Sequence, residues 1–443
     1  MVLGEARPDN LEAELIERTL ANAARAPYYS RVWGEQWRGI RSLAALQALP
    51  LLDKVTAIEN QRELIVGTPE PGFGTASSGT TRDAIRPALN VRRSRAELAA
   101  VRDLAPRTLA QEDPFPGWTL VVVGVHHGLP AEPPGPGELR VPWTYHANAL
   151  SMLEAVLEEP SSDGQRVTAM RISAGALKTL TVWLLERGKD PSKLGVRLIG
   201  TNGSRLSPHW RGLISRTFGA EIWDNFSLSE MPTVATECKS CESLHFGWPP
   251  VAYEVLDLVS GAQKRGGAGR LVMSGLYPYV QQMPLIRYDT GDVVDLGGEC
   301  PASGAPMIWY LGRVRRGLVV PHEGEGRFVL SPCAVQDVLE ALPEAHKNPH
   351  PASETRLVRS VELGLPRWVV ELGESGRAAL LTFEARFDPL VYSARAKGLE
   401  ERVAAELLAL DAELSSLTQA GALTLRVRAV SPGRLSPPGD KFE

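Results

Sequence analysis

Cysteine is scarce: four residues in a chain of 443, too few to staple a fold of this length, so a disulfide scaffold is excluded. Long hydrophobic runs are missing too. The most apolar stretches, LTVWLLE after Lys178 and WTLVVVGV from Trp118, fall far short of the roughly 20 residues a membrane helix needs, and read as core elements. Positive charge is not in excess, since 48 Lys and Arg face 52 Asp and Glu. A net charge of −4 offers nothing for a nucleic-acid backbone or an anionic membrane to condense on, and neither partner is expected. The N-terminal MVLGEARPDNLEAELIERTL has neither the basic start nor the apolar core of a signal peptide, which makes a cytoplasmic location the expectation.

What is present is an ordinary soluble composition, 43% hydrophobic and 23% charged, long enough for two or three domains. Glycine and proline (41 and 34 residues) are spread through many turns, as befits short elements joined by tight loops. Apolar spacing predicts helices over Leu11–Ala26, from Ser94 to about Val101, and from a Ser173 cap to Arg187. A further short helix is expected over Pro208–Phe218, between buried strands such as Leu120–Val125 and Ala220–Phe226. That alternation indicates α/β layers. The breaker-rich LPAEPPGPGELRVP, Leu129–Pro142, reads as an exposed loop. After Tyr310 the pattern changes, and a boundary is expected between Gly312 and Phe328. Beyond it, a helix over Pro332–Leu342, strands RWVVEL and ALLTFEA, one long helix LEERVAAELLALDAELSSL and a last strand LTLRVRAV suggest a small α+β domain.

Three groups of residues carry chemistry. In TASSGTT, Thr75–Thr81, hydroxyls surround Gly79, a pattern that lets a loop approach phosphate, although no GK[ST] follows and a plain polar turn has the same composition. Glu230 and Asp292 each close a loop after an expected strand, where a carboxylate can hold Mg²⁺, accept from ribose hydroxyls, or simply cap the loop. In CKSCESLH, Cys238, Cys241 and His245, with Cys300 further on, offer soft donors for a tetrahedral Zn²⁺. A redox pair or unrelated core thiols are the alternatives. Cys333 reads as an incidental thiol.

Taken in order, SSGTT, the turn TNG at 201–203, DNFSLSE, PLIRYDTGD, YLGR and a lysine after PPGD resemble the adenylate-forming ligases, most closely their phenylacetate–coenzyme A ligase-like branch. APYYSRVW, LQALPLLDK and ATECKSCESLHF extend the resemblance over nearly the whole chain. The resemblance implies an α/β and α+β protein: a large N-terminal domain of layered sheets and helices over residues 1–320, and a small mobile C-terminal lid over 321–443. It implies ATP-dependent activation of an aryl or arylacetic acid as acyl-adenylate, then transfer to coenzyme A. A carrier-protein thiol or an amine is the alternative acceptor, and a catalytically silent nucleotide-binding protein the alternative of another class. A homodimer is also implied.

Carried over position by position, Ser77, Ser78, Gly79, Thr80 and Thr81 would hold the β- and γ-phosphates, and Glu230 would ligate Mg²⁺. Phe226, beside Asn225, would stack on adenine. Asn202 and Gly203 would meet adenine or the acyl group, Asp292 the ribose hydroxyls, and Arg313 the ribose or phosphate. Lys441 would enter the site during adenylation and offset charge on the carboxylate and α-phosphate. Similar proteins hold a structural Zn²⁺ in the cysteine region. Here their later CxC pair is reduced to Cys300 with Ala302, and Cys241 stands in for the missing ligand. Trp143, Tyr145 and His146, or His245, Phe246 and Trp248, are candidates for the acid pocket. Four positions depart from the pattern: Arg82 replaces glycine after SSGTT, Phe226-Ser227 replaces tyrosine-glycine, the hinge reads VRR, and Asp440 precedes Lys441.

Overall fold

A computed structural model describes residues 9–68, 73–76, 89–108, 117–124, 137–160, 164–232, 234–246 and 250–435. Helices α1 (Asp9–Ala23), α2 (Pro27–Trp33) and α3 (Lys54–Glu59) come first. The antiparallel ribbon β1 (Phe73–Ala76) and β2 (Asn90–Arg93) and helix α4 (Arg95–Thr108) follow. An alternating run comes next: β3 (Trp118–Gly124), β4 (Glu138–Trp143), α5 (Ala147–Glu158), β5 (Val167–Ser173), α6 (Ala174–Glu186), β6 (Leu198–Asn202), α7 (Pro208–Phe218) and β7 (Glu221–Ser227). The chain then turns to consecutive strands, β8 (Val234–Glu237), β9 (Leu244–Phe246), β10 (Val251–Leu256), β11 (Gly267–Gly275), β12 (Tyr288–Glu299) and β13 (Pro306–Arg313).

Strands β3 to β13 form one sheet in the order β10-β11-β12-β13-β9-β8-β7-β6-β5-β3-β4. From β7 to β4 the neighbours are parallel, and from β7 to β10 they are antiparallel. The parallel half is covered by helices whose ends are specified locally. Ser173 closes β5 and caps α6, its hydroxyl accepting the Ala176 amide at 3.3 Å. Ser207 and Pro208 start α7, and Gly219 ends it in the left-handed region at φ 65°. Leu177, Leu180, Ile214 and Phe218 pack onto Leu120, Met170, Ile172 and Ile199, each such buried side chain stabilising by about 1.5–3 kcal/mol relative to exposure. The antiparallel half packs Leu271, Met273, Tyr288 and Ile308 against Ile16, Leu20, Tyr29 and Trp33 of the first two helices.

From Leu318 onward a separate hydrophobic core forms. Its elements are the hairpin β14 (Leu318–His322) and β15 (Glu325–Val329), helix α8 (Pro332–Ala341), the short α9 (Pro351–Glu354), strands β16 (Trp368–Leu372) and β17 (Ala378–Glu384), helices α10 (Ser393–Leu410) and α11 (Ala412–Gln419), and strand β18 (Thr424–Val430). β17 is the centre of a three-stranded sheet, antiparallel to β16 and parallel to β18. Gly312, at φ 116°, makes the junction possible: a Cβ there would lie 2.6 Å from Pro332, so the strand end can touch α8 only without a side chain.

Several expectations need correction. The segment assigned to a loop over Leu129–Pro142 contains β4 in its second half, paired in parallel with β3 at the sheet edge, where proline loses no ladder partner on its open side. The single long helix is two, because Asp411 leaves helical geometry and its carboxylate caps α11 by accepting the Leu414 amide at 2.9 Å. The helix expected to end near Val101 runs on to Thr108, and α1 starts and ends earlier than its apolar spacing suggested. Among the described residues no helix is long and apolar enough to cross a membrane.

Candidate active site

Strand β7 is where the sheet changes direction. Its residues 221–224 pair in parallel with β6, and its residues 225–227 pair antiparallel with β8. The carboxyl ends of the paired segments of β6 and β7 meet at this seam, and ligands of open α/β sheets bind outside the carboxyl ends of the strands. Asn202 closes β6 there with its side chain exposed, and Gly203 follows at φ 82°. Asn225 is engaged across the seam, its amide donating to the Thr201 carbonyl at 3.0 Å and its carbonyl accepting from the Thr236 hydroxyl at 2.9 Å. Beside it, Thr201 donates to Asp224 at 2.9 Å, and burial pushes the Asp224 carboxyl up to about 6.

Phe226, Tyr310, Asp292 and Arg313 form one cluster. The Phe226 ring is 5.3 Å from Tyr310 at 37° and 6.0 Å from Phe246 at 88°. Asp292 on β12 and Arg313 on β13 are directly opposite in the ladder, with the guanidinium Nε 3.0 Å from Oδ1. The Tyr310 hydroxyl donates to that same oxygen at 3.3 Å. Oδ2 is buried and has no hydrogen-bond partner among the described residues. Desolvation outweighs Arg313 and the hydrogen bonds of Thr290 and Tyr310, so the Asp292 carboxyl is pushed up to about 6.

Glu230 sits at the other side of the cluster, 8% exposed, where Oε1 accepts from the Tyr288 hydroxyl at 3.2 Å and lies 3.5 Å from Lys54 Nζ. The half-buried Arg93 guanidinium feels both Glu97 and Glu230 and donates to the Ser229 carbonyl at 3.3 Å. The hard oxygens of this carboxylate suit Mg²⁺. Ser77, Ser78, Gly79, Thr80, Thr81 and Lys441 lie outside the described residues, as do Arg82, Trp248 and Asp440. Sequence reasoning assigned no role to Lys54, Tyr288 or Arg93. The one signal was that Lys54 and Tyr288 fall inside the quoted segments LPLLDK and PLIRYDTGD.

Cys238, Cys241, His245 and Cys300 come together, with all four donor atoms within 4.8 Å of one another. The Cys238 and Cys300 sulfurs are 3.9 Å apart, close to the edge of about 3.8 Å that a tetrahedron with Zn–S bonds near 2.3 Å requires. Cys241 Sγ is 3.2 Å from His245 Nε2, while Nδ1 of the same ring is 3.0 Å from the Pro306 carbonyl. That second bond fixes the proton on Nδ1 and turns Nε2 to the thiols, the orientation a ligating histidine uses. The Ser303 hydroxyl and neighbouring amides pull the Cys300 thiol down to about 6, toward the thiolate a metal prefers. The donor set fits Zn²⁺. Of the aromatic pocket candidates, Trp143 is core, Tyr145 packs edge-on between it and His350, and His146 caps α5; among those described, Phe246 reaches the cluster, through Phe226.

No family profile and no curated protein matches the sequence. Solved structures do. The open conformation of 2-hydroxyisobutyryl-CoA ligase in complex with 2-HIB-AMP and CoA superposes with a TM-score of 0.69 at 17% identity, over 98% of this chain and 90% of that one. The same ligase in its postadenylation state with R3-HIB-AMP gives 0.65 at 17% identity, over 99% and 89%. Its thioesterification state gives 0.56 at 17% identity, over 97% and 87%. The chain therefore has the fold of 2-hydroxyisobutyryl-CoA ligase.

Proposed function

We propose that the chain is an ATP-dependent ligase that joins a carboxylic acid to AMP as an acyl-adenylate and passes the acyl group to coenzyme A. The observation that supports this best is Asp292. It is a buried carboxylate with one oxygen held by Arg313 and Tyr310 and the other without a partner among the described residues, and Tyr310 packs 5.3 Å from Phe226 on β7, the strand where the sheet turns from parallel to antiparallel. An acceptor in that state suits the paired hydroxyls of a ribose. Phe226 offers a ring for adenine, Ser77–Thr81 the donors for phosphate, Glu230 the ligand for Mg²⁺, and Lys441 the ammonium that steadies the carboxylate and α-phosphate. Mg²⁺ bound at Glu230 would offset polyphosphate charge while the acid attacks the α-phosphorus and pyrophosphate leaves.

Cys238, Cys241, His245 and Cys300 would hold a Zn²⁺ with a closed shell and hence a structural role. It would tie the β8–β9 turn to the β12–β13 turn, and so steady the strands that carry Phe246 and Tyr310. The acid is read as aryl or arylacetic, in keeping with the neighbouring rings of Phe226, Phe246 and Tyr253, 6.0 and 5.0 Å apart in turn. Acid-dependent ATP–pyrophosphate exchange over benzoates, arylacetates and short hydroxy acids tests the first step. Product mass spectra with coenzyme A, a carrier-protein thiol or an amine identify the acceptor.

A further inference from the structure

The C-terminal core is joined to the helices of the large sheet by far more than a hinge. On α8, Glu340 is 1% exposed, with Oε1 3.1 Å from Lys178 Nζ of α6 and Oε2 bonded by the Ser207 hydroxyl at the start of α7. Asp337, one turn earlier, is held bidentate by Arg205 at 2.6 and 2.9 Å. The opposite face of α8, with Val335, Val338 and Leu339, belongs to the C-terminal core, so this helix is built into one unit and ion-paired to the other.

An arm makes the second attachment. Between the bridged residues Lys347 and Pro366 the chain makes an eighteen-residue excursion, which buries Ala352, Val358 and Leu363 in the core of the parallel half. Glu186, at the end of α6, accepts the amides of Arg359 at 2.9 Å and Ser360 at 3.0 Å. On the other side of the junction, Asp257 accepts the Gly326 amide of the β14–β15 hairpin at 3.0 Å. A Cβ at Gly326 would lie 2.9 Å from Leu258, so this seat is cut for glycine.

Parting a buried ion pair leaves an uncompensated charge, and withdrawing the arm exposes apolar side chains, so partial displacement at this junction is costly. We propose that α8 and the arm over residues 348–365 form a latch that holds the C-terminal unit on α6 and α7, and that this unit moves only when arm and ion pairs release together. Any second arrangement of the unit during acyl transfer would begin with that release. The latch does not depend on the chemistry proposed above, because its test reads backbone exchange and not turnover.

The test is hydrogen–deuterium exchange with mass spectrometry on the full chain and on the double variant Glu186→Ala/Arg205→Ala. Both changes lie on the large unit and remove partners of the other. In the parent protein, peptides covering 350–363 exchange as slowly as α6. In the variant, peptides of the arm and of α8 exchange about tenfold faster or more, the scale of losing hydrogen bonds to charged groups, while β17 and α10 keep the parent rate. Loop-like exchange of the arm in the parent, no change in the variant, or equal acceleration throughout the C-terminal core would each overturn the latch.

Discussion

Tyr310 and Asp292 meet across neighbouring strands, the phenol donating to Oδ1 at 3.3 Å. Arg313 is bonded to the same oxygen at 3.0 Å, which leaves Oδ2 buried and without a partner among the described residues. Nucleotide binding should therefore depend on Asp292 more than on any other single side chain of the cluster. Asp292→Ala should weaken AMP and ATP by about 10- to 100-fold, the cost of hydrogen bonds to a charged acceptor. Isothermal titration with AMP checks it, and unchanged affinity would remove Asp292 from the ribose position.

The same carboxyl gives a pH dependence. Burial raises it to about 6, so it is ionised and able to accept two hydroxyls above that pH, and protonated below it. AMP affinity should be constant from pH 8 to 7 and fall as pH drops through about 6. Asp224 also titrates near 6, so the control is Asp292→Asn, which should flatten the profile. Adenosine, which lacks the phosphate that itself titrates at about 6, serves as the ligand in parallel, and a slope that survives in the variant with adenosine assigns the effect to Asp224 instead.

Phe226 has no hydroxyl, and its ring contacts are with Tyr310 and Phe246. Phe226→Tyr should keep nucleotide affinity within about twofold, whereas Phe226→Leu should lower it about three- to tenfold, the worth of an aromatic contact. Equal losses in both variants would mean that the position serves packing and not stacking.

Metal analysis should find about one zinc per chain. Cys300→Ser should release it and lower the Tm by several degrees, because binding free energy at a structural site is folding free energy. A chain free of zinc with an unaltered Tm would contradict the assignment of Cys238, Cys241, His245 and Cys300.

Much of this was legible in the sequence because it is local. Ser173 and Ser207 announce α6 and α7 through cap chemistry, and CKSCESLH places three of the four donors within eight residues. The turn carrying Glu230 was readable as a strand end, whereas Asp292, expected to close a loop, is the fifth residue of β12. What stayed hidden is tertiary. Lys54 and Tyr288 converge on Glu230 from segments more than 170 and 50 residues away in sequence, so no spacing rule could pair them. Lys178 and Glu340 each look like one more charge on an amphipathic helix until the two helices pack. β4 was masked by the glycines and prolines before it, and the α10–α11 break by a helix-forming composition that runs through Asp411.

Lys441 should matter to adenylation and not to folding. Lys441→Ala should slow acyl-adenylate formation by about 100-fold or more, on the scale of removing one stabilising donor from a developing charge, with Tm unchanged. Single-turnover formation of acyl-AMP measures it, and a parent-like rate would take Lys441 out of the mechanism.

The most direct test of the central claim is acid-dependent ATP–pyrophosphate exchange by the purified full-length chain with Mg²⁺. The account predicts exchange that requires both ATP and a particular carboxylic acid and is lost in Asp292→Ala. Absence of exchange across aromatic, arylacetic and hydroxy acids, in protein shown to be folded and to bind ATP, would contradict it.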